Sequence, residues 1–499
     1  MRDVSEDRGG DLELARLIRT EKEVEGRYEE IWTVVEEDAL DQWPPGPLAV
    51  VGRPAPRVDG IERARGQAPY TADLRLPGML HTAVLRSPHA RARVTRLDLG
   101  PALEAPGVRA ALRPEDMDLL TREPSYPGEP VAAVAAESFE QARAAVGLIA
   151  VEWEVLEPLL DPDEAVRAGS LTEEPRRYER GDLERGLAEA DVVVEAEYRT
   201  QTVLHNSLET HQAVCEWRGD RLDAYVSTQY IWGVRDELAE HLGLPPDRVR
   251  VVCEAMGGGF GAKNGAGDYT KLAAELARRT GRPVRCALTR REENLAAGNR
   301  NATIQRLQVG ARADGTLVAL GGEFVNAVGW KGWLASTAGP MQMLYACENV
   351  RTVEYGAKLN TAPMAAFRAP GFTEGTFGLE CLLDELAGRL ELDPLELRRR
   401  NHADADLVDG RPFSSKNLME CYRRAEAHWA RRDEVRARNG TGPSTSPWRH
   451  GVGLASQVWY GGGGPPSYAW VRLGSDGRAT VVTAMQDIGT GTRTAMAQI

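Results

Sequence analysis

From Val249 to Gly281 the chain reads VRVVCEAMGGGFGAKNGAGDYTKLAAELARRTG, a strand, a glycine-rich turn and a helix in immediate succession. No other segment constrains the fold as much. The run Val249 to Glu254 predicts a strand. Asp268 to Arg279 predicts an amphipathic helix with Leu272, Ala273 and Leu276 on one face. Asp268 is placed to be its N-cap, and Gly281 and Pro283 stop it.

Between them, Met256 to Asn264 carries glycine at 257, 258, 259 and 261. Glycine lets the backbone take positive φ and approach a ligand closely. Exposed amides in such a turn can receive oxo or phosphate oxygens. Three readings compete. One is a tight turn whose glycines serve packing. A second is a dinucleotide fingerprint on Gly257, Gly259 and Ala262, which would make the chain an NAD-dependent dehydrogenase. Against it, the loop runs on before the helix, and Arg290 and Arg291 stand where a ribose-binding acid is expected. A phosphate-binding P-loop fails, because Lys263 is followed by Asn264. The third reading is a cradle for a different cofactor, with Phe260 projecting a flat apolar wall.

A chain of 499 residues implies roughly three domains. A net charge of −13 argues against a general nucleic-acid or anionic-membrane partner. The six cysteines (215, 253, 286, 347, 381 and 421) form no CxxC pair. That argues against iron–sulfur or structural zinc sites here, and a disulfide framework is not expected either. No run of 18 apolar residues exists and no signal peptide is visible at Met1. A cytoplasmic location is expected, with periplasmic co-export on a partner as the alternative.

Residues 1–49 read as an acidic extension, with an interrupted amphipathic helix from Leu12 to Trp43 ended by Pro44, Pro45, Gly46 and Pro47. Residues 50–165 read as a small α+β unit. Its strands are Leu80 to Leu85, Val94 to Leu97, Pro130 to Ala135 and Ala150 to Val155, and its helix is Phe139 to Val146. The polar stretch Asp161 to Leu183 marks a boundary. Residues 184–437 mix strands (Val192 to Tyr198, Arg221 to Val226) and helices (Leu379 to Leu390). Arg438 to Pro447 marks a second boundary. Residues 448–499 open a further domain with glycines at 461–464 and strands Ser467 to Leu473 and Ala479 to Thr483.

The run MGGGFGAKN resembles the GGGFGGK loop of the molybdenum hydroxylases, the xanthine dehydrogenase and aldehyde oxidase family. Four further segments agree with that family from Leu204 onward, in its order. They are LHNSLETHQAV (Leu204 to Val214), VSTQ (Val226 to Gln229), AAFRAPG (Ala365 to Gly371) and QDIGTGTRTAMAQI (Gln486 to Ile499). Gly52 to Val94 resembles the lead-in and opening of the family's α/β-hammerhead domain. The resemblance covers residues 50–499. It implies a mixed α+β fold, in which an α/β-hammerhead domain (50–165) is followed by a first molybdopterin-binding domain (184–437) and the start of a second (448–499).

The resemblance also implies a molybdenum pterin held without any protein side chain on the metal, in the cytosine-dinucleotide form if the source is bacterial. No flavin or iron–sulfur cluster is expected in this chain; separate flavin-binding and [2Fe–2S] subunits would carry them. By match, Gln229 would donate to an oxygen near the metal. Gly258, Gly259, Phe260 and Gly261 would offer amides, Phe260 facing substrate. Arg368 would hold the pterin or line the substrate site. Gly489, Thr490 and Gly491 would contact the pterin or its phosphate. His205 and Glu209 are expected in packing or domain contacts.

Three departures bear on substrate. Asn264 replaces the acid that purine-oxidising members carry, and Ala369 replaces the copper-binding cysteine of carbon-monoxide-oxidising members. Thr490 replaces the usual glutamine. An aldehyde or N-heterocycle is expected. The family's general-base glutamate lies in a C-terminal GxGE-type segment. No such segment occurs before Ile499, and Glu374 and Glu380 sit in the wrong motif. The chain is therefore expected to be catalytically incompetent alone, as a truncated product or as half of a split subunit that a second chain completes. The rival from another class is a non-catalytic binding or assembly fragment of the same fold.

Overall fold

The computed structural model describes residues 47–410, 412–413, 416–438, 447–459 and 468–499, and the backbone of strands β1 (Arg16–Val24) and β2 (Arg27–Val35). These two strands pair antiparallel, Arg16 opposite Val35. The helix expected across this stretch is corrected to a hairpin. Ile31-Trp32-Thr33-Val34-Val35 is β-branched and aromatic, residue types that fit a pleated strand better than a helix. The rest of the expected Leu12 to Trp43 helix lies outside the described residues, as do most of the Arg438 to Pro447 boundary and the glycines at 461–464.

The main sheet has seven strands in the order β12 (Val249–Val252), β11 (Arg221–Val226), β10 (Gln212–Arg218), β13 (Val284–Ala287), β3 (Leu80–Arg86), β6 (Pro130–Ala136) and β5 (Val108–Leu112). It crosses the boundary drawn between residues 50–165 and 184–437, because β13 pairs in parallel with β3. Strand β6 is buried along its whole length, Pro130 to Ala136. Such a strand reads as a continuous apolar run and not as an alternation.

The Gly267–Thr280 helix packs on this sheet. Leu272, Ala273 and Leu276 join Cys215, Leu222, Val226 and Val284 in the largest core cluster. Each fully buried leucine contributes about 1.5–3 kcal/mol. The C-cap at Gly281 is left-handed, as expected, but Asp268 is not the N-cap. The helix starts one residue earlier, and the carboxylate of Glu237 takes the Ala266 amide at 3.0 Å. A side chain distant in sequence does the capping.

The second sheet runs β8 (Arg176–Arg180), β16 (Val350–Ala357), β15 (Leu317–Ala327), β14 (Thr303–Ala311) and β9 (Val192–Thr200). The polar stretch Asp161 to Leu183 supplies β8 and a short helix, Pro162–Arg167. One sheet face packs on the Phe372–Arg389 helix through Leu307, Leu320, Phe324, Leu379 and Leu383. A small pair, β4 (Ala92–Asp98) with β7 (Ala150–Val155), stands apart, and so does the hairpin β17 (Ala469–Leu473) with β18 (Ala479–Thr483). No helix among the described residues is long and apolar enough to cross a membrane.

Candidate functional site

The glycine loop leaves the end of β12 and is held from inside by Glu209 and Lys263. One oxygen of Glu209 accepts from the Gly257 amide and the Ser227 hydroxyl, both at 2.8 Å. The other accepts from Gln212 at 3.1 Å and from the Ala72 amide at 3.4 Å. Lys263 is fully buried; its Nζ donates to the Glu209 carbonyl at 2.8 Å and to Ser227 at 2.7 Å, 3.9 Å from the Glu209 carboxylate. Burial lowers the Lys263 pKa, opposed by the Glu209 charge. The glycines allow this tightness. A Cβ on Gly257 would sit 2.4 Å from the Glu209 Cβ, and one on Gly261 2.3 Å from the Ala366 carbonyl.

The opposite side of the loop is open. The amides of Gly258, Gly259 and Phe260 have no acceptor among the described residues. Phe260 takes a positive φ of 55° and is 47% exposed, so its ring projects from the turn. Positive φ is uncommon outside glycine, and such residues cluster at functional sites. Of the four non-glycine residues with positive φ among the described residues, Asn206, Phe260 and Ala369 belong to the segments singled out above; Glu391 does not. Gln229 lies beside the loop, where its Oε1 accepts from the Gly261 amide at 3.0 Å. That contact spends the Gly261 amide, which is therefore not free for a ligand. The Gln229 Nε2 amide has no acceptor among the described residues and remains able to donate.

The arginine loop meets the glycine loop directly: the Arg368 amide donates to the Phe260 carbonyl at 2.8 Å. The Arg368 side chain is exposed and has no acceptor among the described residues. Arg300 positions this loop. It pairs with Glu374 at 2.5 Å, donates to the carbonyls of Phe367 and Arg368, and lies over the Phe367 ring. His205 stacks on Phe367 and contacts the Ala366 carbonyl at 2.8 Å. Burial pushes the His205 pKa down to about 4. His211 lies between Glu293 (2.9 Å) and the Ala262 carbonyl (3.1 Å). Burial opposes ionisation of Glu293, but the hydrogen bonds from His211 hold its pKa below the ordinary range.

The last loop approaches from the C-terminal segment. Gln486 donates to the Cys253 carbonyl at 3.2 Å and Arg493 to the Glu254 carbonyl at 2.8 Å, both just ahead of the glycine loop. The amides of Gly489 and Gly491 are turned inward onto Asp487, at 2.8 and 3.3 Å. They are occupied, while among the described residues the Thr490 hydroxyl meets only Thr492, at 3.3 Å. Asn264 is half-buried at the loop's far end.

Glu209, Arg300, Lys263 and the His211–Glu293 pair were not chosen as site residues from sequence. They lie in polar or glycine-rich stretches, where a sequence does not distinguish buried charge from surface charge. Two buried glutamates of the Phe372–Arg389 helix are ion-paired, although one oxygen of Glu374 has no partner among the described residues. Glu374 is paired with Arg300, and Glu380 is bound by Tyr345, Arg398 and the Ser456 amide. All six cysteines are free thiols, and no cluster of metal-ligating side chains occurs among the described residues.

Three family models match in this order: the aldehyde oxidase and xanthine dehydrogenase a/b hammerhead domain over residues 65–157, and molybdopterin cofactor-binding domains over 167–402 and 423–499. The chain belongs to the aldehyde oxidase and xanthine dehydrogenase family. It is 32% identical over 485 residues to the aldehyde oxidoreductase molybdenum-binding subunit PaoC of Escherichia coli, covering 93% of this chain and 64% of that one. It is 30% identical over 400 residues to the nicotine 6-hydroxylase large subunit of Paenarthrobacter nicotinovorans, covering 72% of this chain and 49% of that one. Among solved structures, quinoline 2-oxidoreductase from Pseudomonas putida 86 aligns with a TM-score of 0.76 and 27% identity, covering 89% of this chain and 63% of that one. The chain thus spans just under two thirds of the length of the first of these relatives.

Proposed function

We propose that this chain forms one side of the cofactor site of a molybdenum hydroxylase that oxidises an aldehyde or an N-heterocycle, passing electrons to a [2Fe–2S] partner beside a flavin-binding subunit. The observation that carries this is the row of three unpaired amides, Gly258 to Phe260, on a loop braced from behind by buried charge in a chain of this family. Unpaired loop amides backed by a rigid wall suit a ligand rich in oxygen acceptors, so the residues fit a molybdenum pterin. The bound pterin would supply the two-electron redox capacity of the reaction, with water as the source of oxygen.

The chain's own residues have narrower parts. The amides of Gly258, Gly259 and Phe260 would hold an oxygen ligand, and Gln229 Nε2 would donate beside them. Gly261 serves by orienting Gln229. Phe260 would present its ring to a flat substrate, with Asn264 and Ala369 shaping the same wall. Arg368 would offer its unpaired guanidinium to an acidic pterin oxygen or to substrate, and Thr490 would meet the pterin from the last loop. Glu209, Glu374 and Glu380 are each tied to a buried cation (Lys263, Arg300 and Arg398), which does not suit a general base. A cytosine-dinucleotide pterin and cytoplasmic location complete the proposal.

The test is metal and nucleotide analysis of the purified chain, co-produced with its small subunits, followed by turnover of benzaldehyde and of quinoline. Near-stoichiometric molybdenum, lost in a Gln229→Ala variant, supports the reading. Tight NAD binding without molybdenum overturns it in favour of a dehydrogenase. Molybdenum without turnover of any aldehyde or heterocycle leaves a binding or assembly fragment.

A further inference from the structure

Strand β13 places Arg285 beside His81 of β3. These residues, with Thr82, Phe139, Leu288 and Thr289, line an open pocket of about 280 Å3. None of them belongs to the loops that form the cofactor site.

Arg285 is 8% exposed. Its Nη2 donates to the Thr71 carbonyl at 3.2 Å and also to the Leu74 carbonyl. Its Nε is buried without an acceptor, and Nη1 has none either among the described residues. The other two buried arginines among the described residues are neutralised: Arg300 by Glu374 at 2.5 Å, and Arg398 by Glu380 and Asp384, each at 2.8 Å. Arg285 has no carboxylate within ion-pairing distance among the described residues. Asp73 and Glu140 act on this pair only at longer range, and Arg75 adds positive charge. The Thr82 hydroxyl is 97% buried by residue and also lacks a partner, and the His81 ring makes no hydrogen bond among the described residues.

A buried guanidinium without a counter-charge is costly, and proteins rarely leave one so. Here burial brings the Arg285 pKa down to about 10. A planar guanidinium matches the geometry of carboxylate and phosphate oxygens. Phe139 and Leu288 add an apolar wall on which an organic substituent could rest.

We propose that this pocket binds a small oxyanion, a carboxylate or phosphate group, on the unpaired Nη1 of Arg285, with His81 completing the polar wall. Isothermal titration of the purified protein with inorganic phosphate and with benzoate tests it. Saturable one-to-one binding of at least one probe is expected. Arg285→Met should weaken it by about tenfold or more, the loss expected for one charge-assisted hydrogen bond. Because Arg285 also holds two backbone carbonyls, a second variant separates binding from folding: His81→Ala, on a half-buried ring without hydrogen bonds among the described residues, should weaken binding measurably with unfolding unchanged. Preference for benzoate points to an organic acid as the source, and preference for phosphate to a phosphate ester. Absence of saturable binding by both probes, or binding unchanged in His81→Ala and in folded Arg285→Met, overturns the proposal.

Discussion

The loop at Met256 to Asn264 is braced from within, whereas the loop at Asp487 to Gly491 is braced from its side. Behind the first stand a buried carboxylate and a buried ammonium, Glu209 and Lys263, with four hydrogen bonds accepted by the carboxylate oxygens and two donated by Nζ to the Glu209 carbonyl and Ser227. Behind the second stands Asp487, reached by Arg57, which is 35% exposed in its side chain and also bonds the Gly489 carbonyl. Both carboxylates are buried, so the contrast lies in the cations: Lys263 is fully buried and Arg57 is partly solvated. A hydrogen bond to charge in a water-excluded site is strong and expensive to break, and one near solvent is neither. The first loop should therefore hold its shape before any ligand arrives, and the second should depend more on its surroundings.

Glu209→Ala attacks the stronger brace and should have the largest effect. It strands the Lys263 charge and the Gly257 amide, so a loss of about 3–5 kcal/mol in denaturant unfolding is expected. Acidification comes next. His205 is neutral in the fold, with a pKa near 4 against an unfolded value near 6.5. Its contribution is therefore complete above about pH 6.5 and is lost as pH falls toward 4, on the order of 2–3 kcal/mol. His205→Phe should flatten that part of the stability–pH curve. Gly261→Ala introduces a Cβ 2.3 Å from the Ala366 carbonyl at a φ of 115°, costing about 1–3 kcal/mol and lowering molybdenum content. Smallest is Arg57→Ala. It should cost about 0.5–1 kcal/mol globally, yet speed amide exchange at Gly489 and Gly491 while leaving Gly257 protected. Equal exchange at both loops would erase the distinction between them.

The positions of the strands and helices around the first loop were readable because their signals are local. Phe139–Val146, Ala150–Val155, Arg221–Val226 and Ala479–Thr483 lie where periodicity and turn residues put them. The Gly267–Thr280 helix was readable too, but its cap was not, since Glu237 is far away in sequence. The N-terminal hairpin was misread because charged residues interleaved with apolar ones mimic a helical stripe. At the site, the segments carrying Gln229, Phe260 and Arg368 were identified, and the structure brings all three together. Which of their groups remain free was not readable. The amides of Gly261, Gly489 and Gly491 are spent within the protein, and those of Gly258, Gly259 and Phe260 are not.

By itself, then, the sequence determined the strand–glycine–helix unit, the mixed architecture and the family, because backbone freedom at glycine and the periodicity of apolar residues act over a few residues. Tertiary structure alone decided that one sheet joins β3 to β13, that Glu209 and Lys263 lie buried behind the loop, and that Arg285 is left without a counter-charge. Those outcomes depend on which distant groups are excluded from water together, and the energy of a charge or an amide is set by that exclusion and not by its neighbours in the chain.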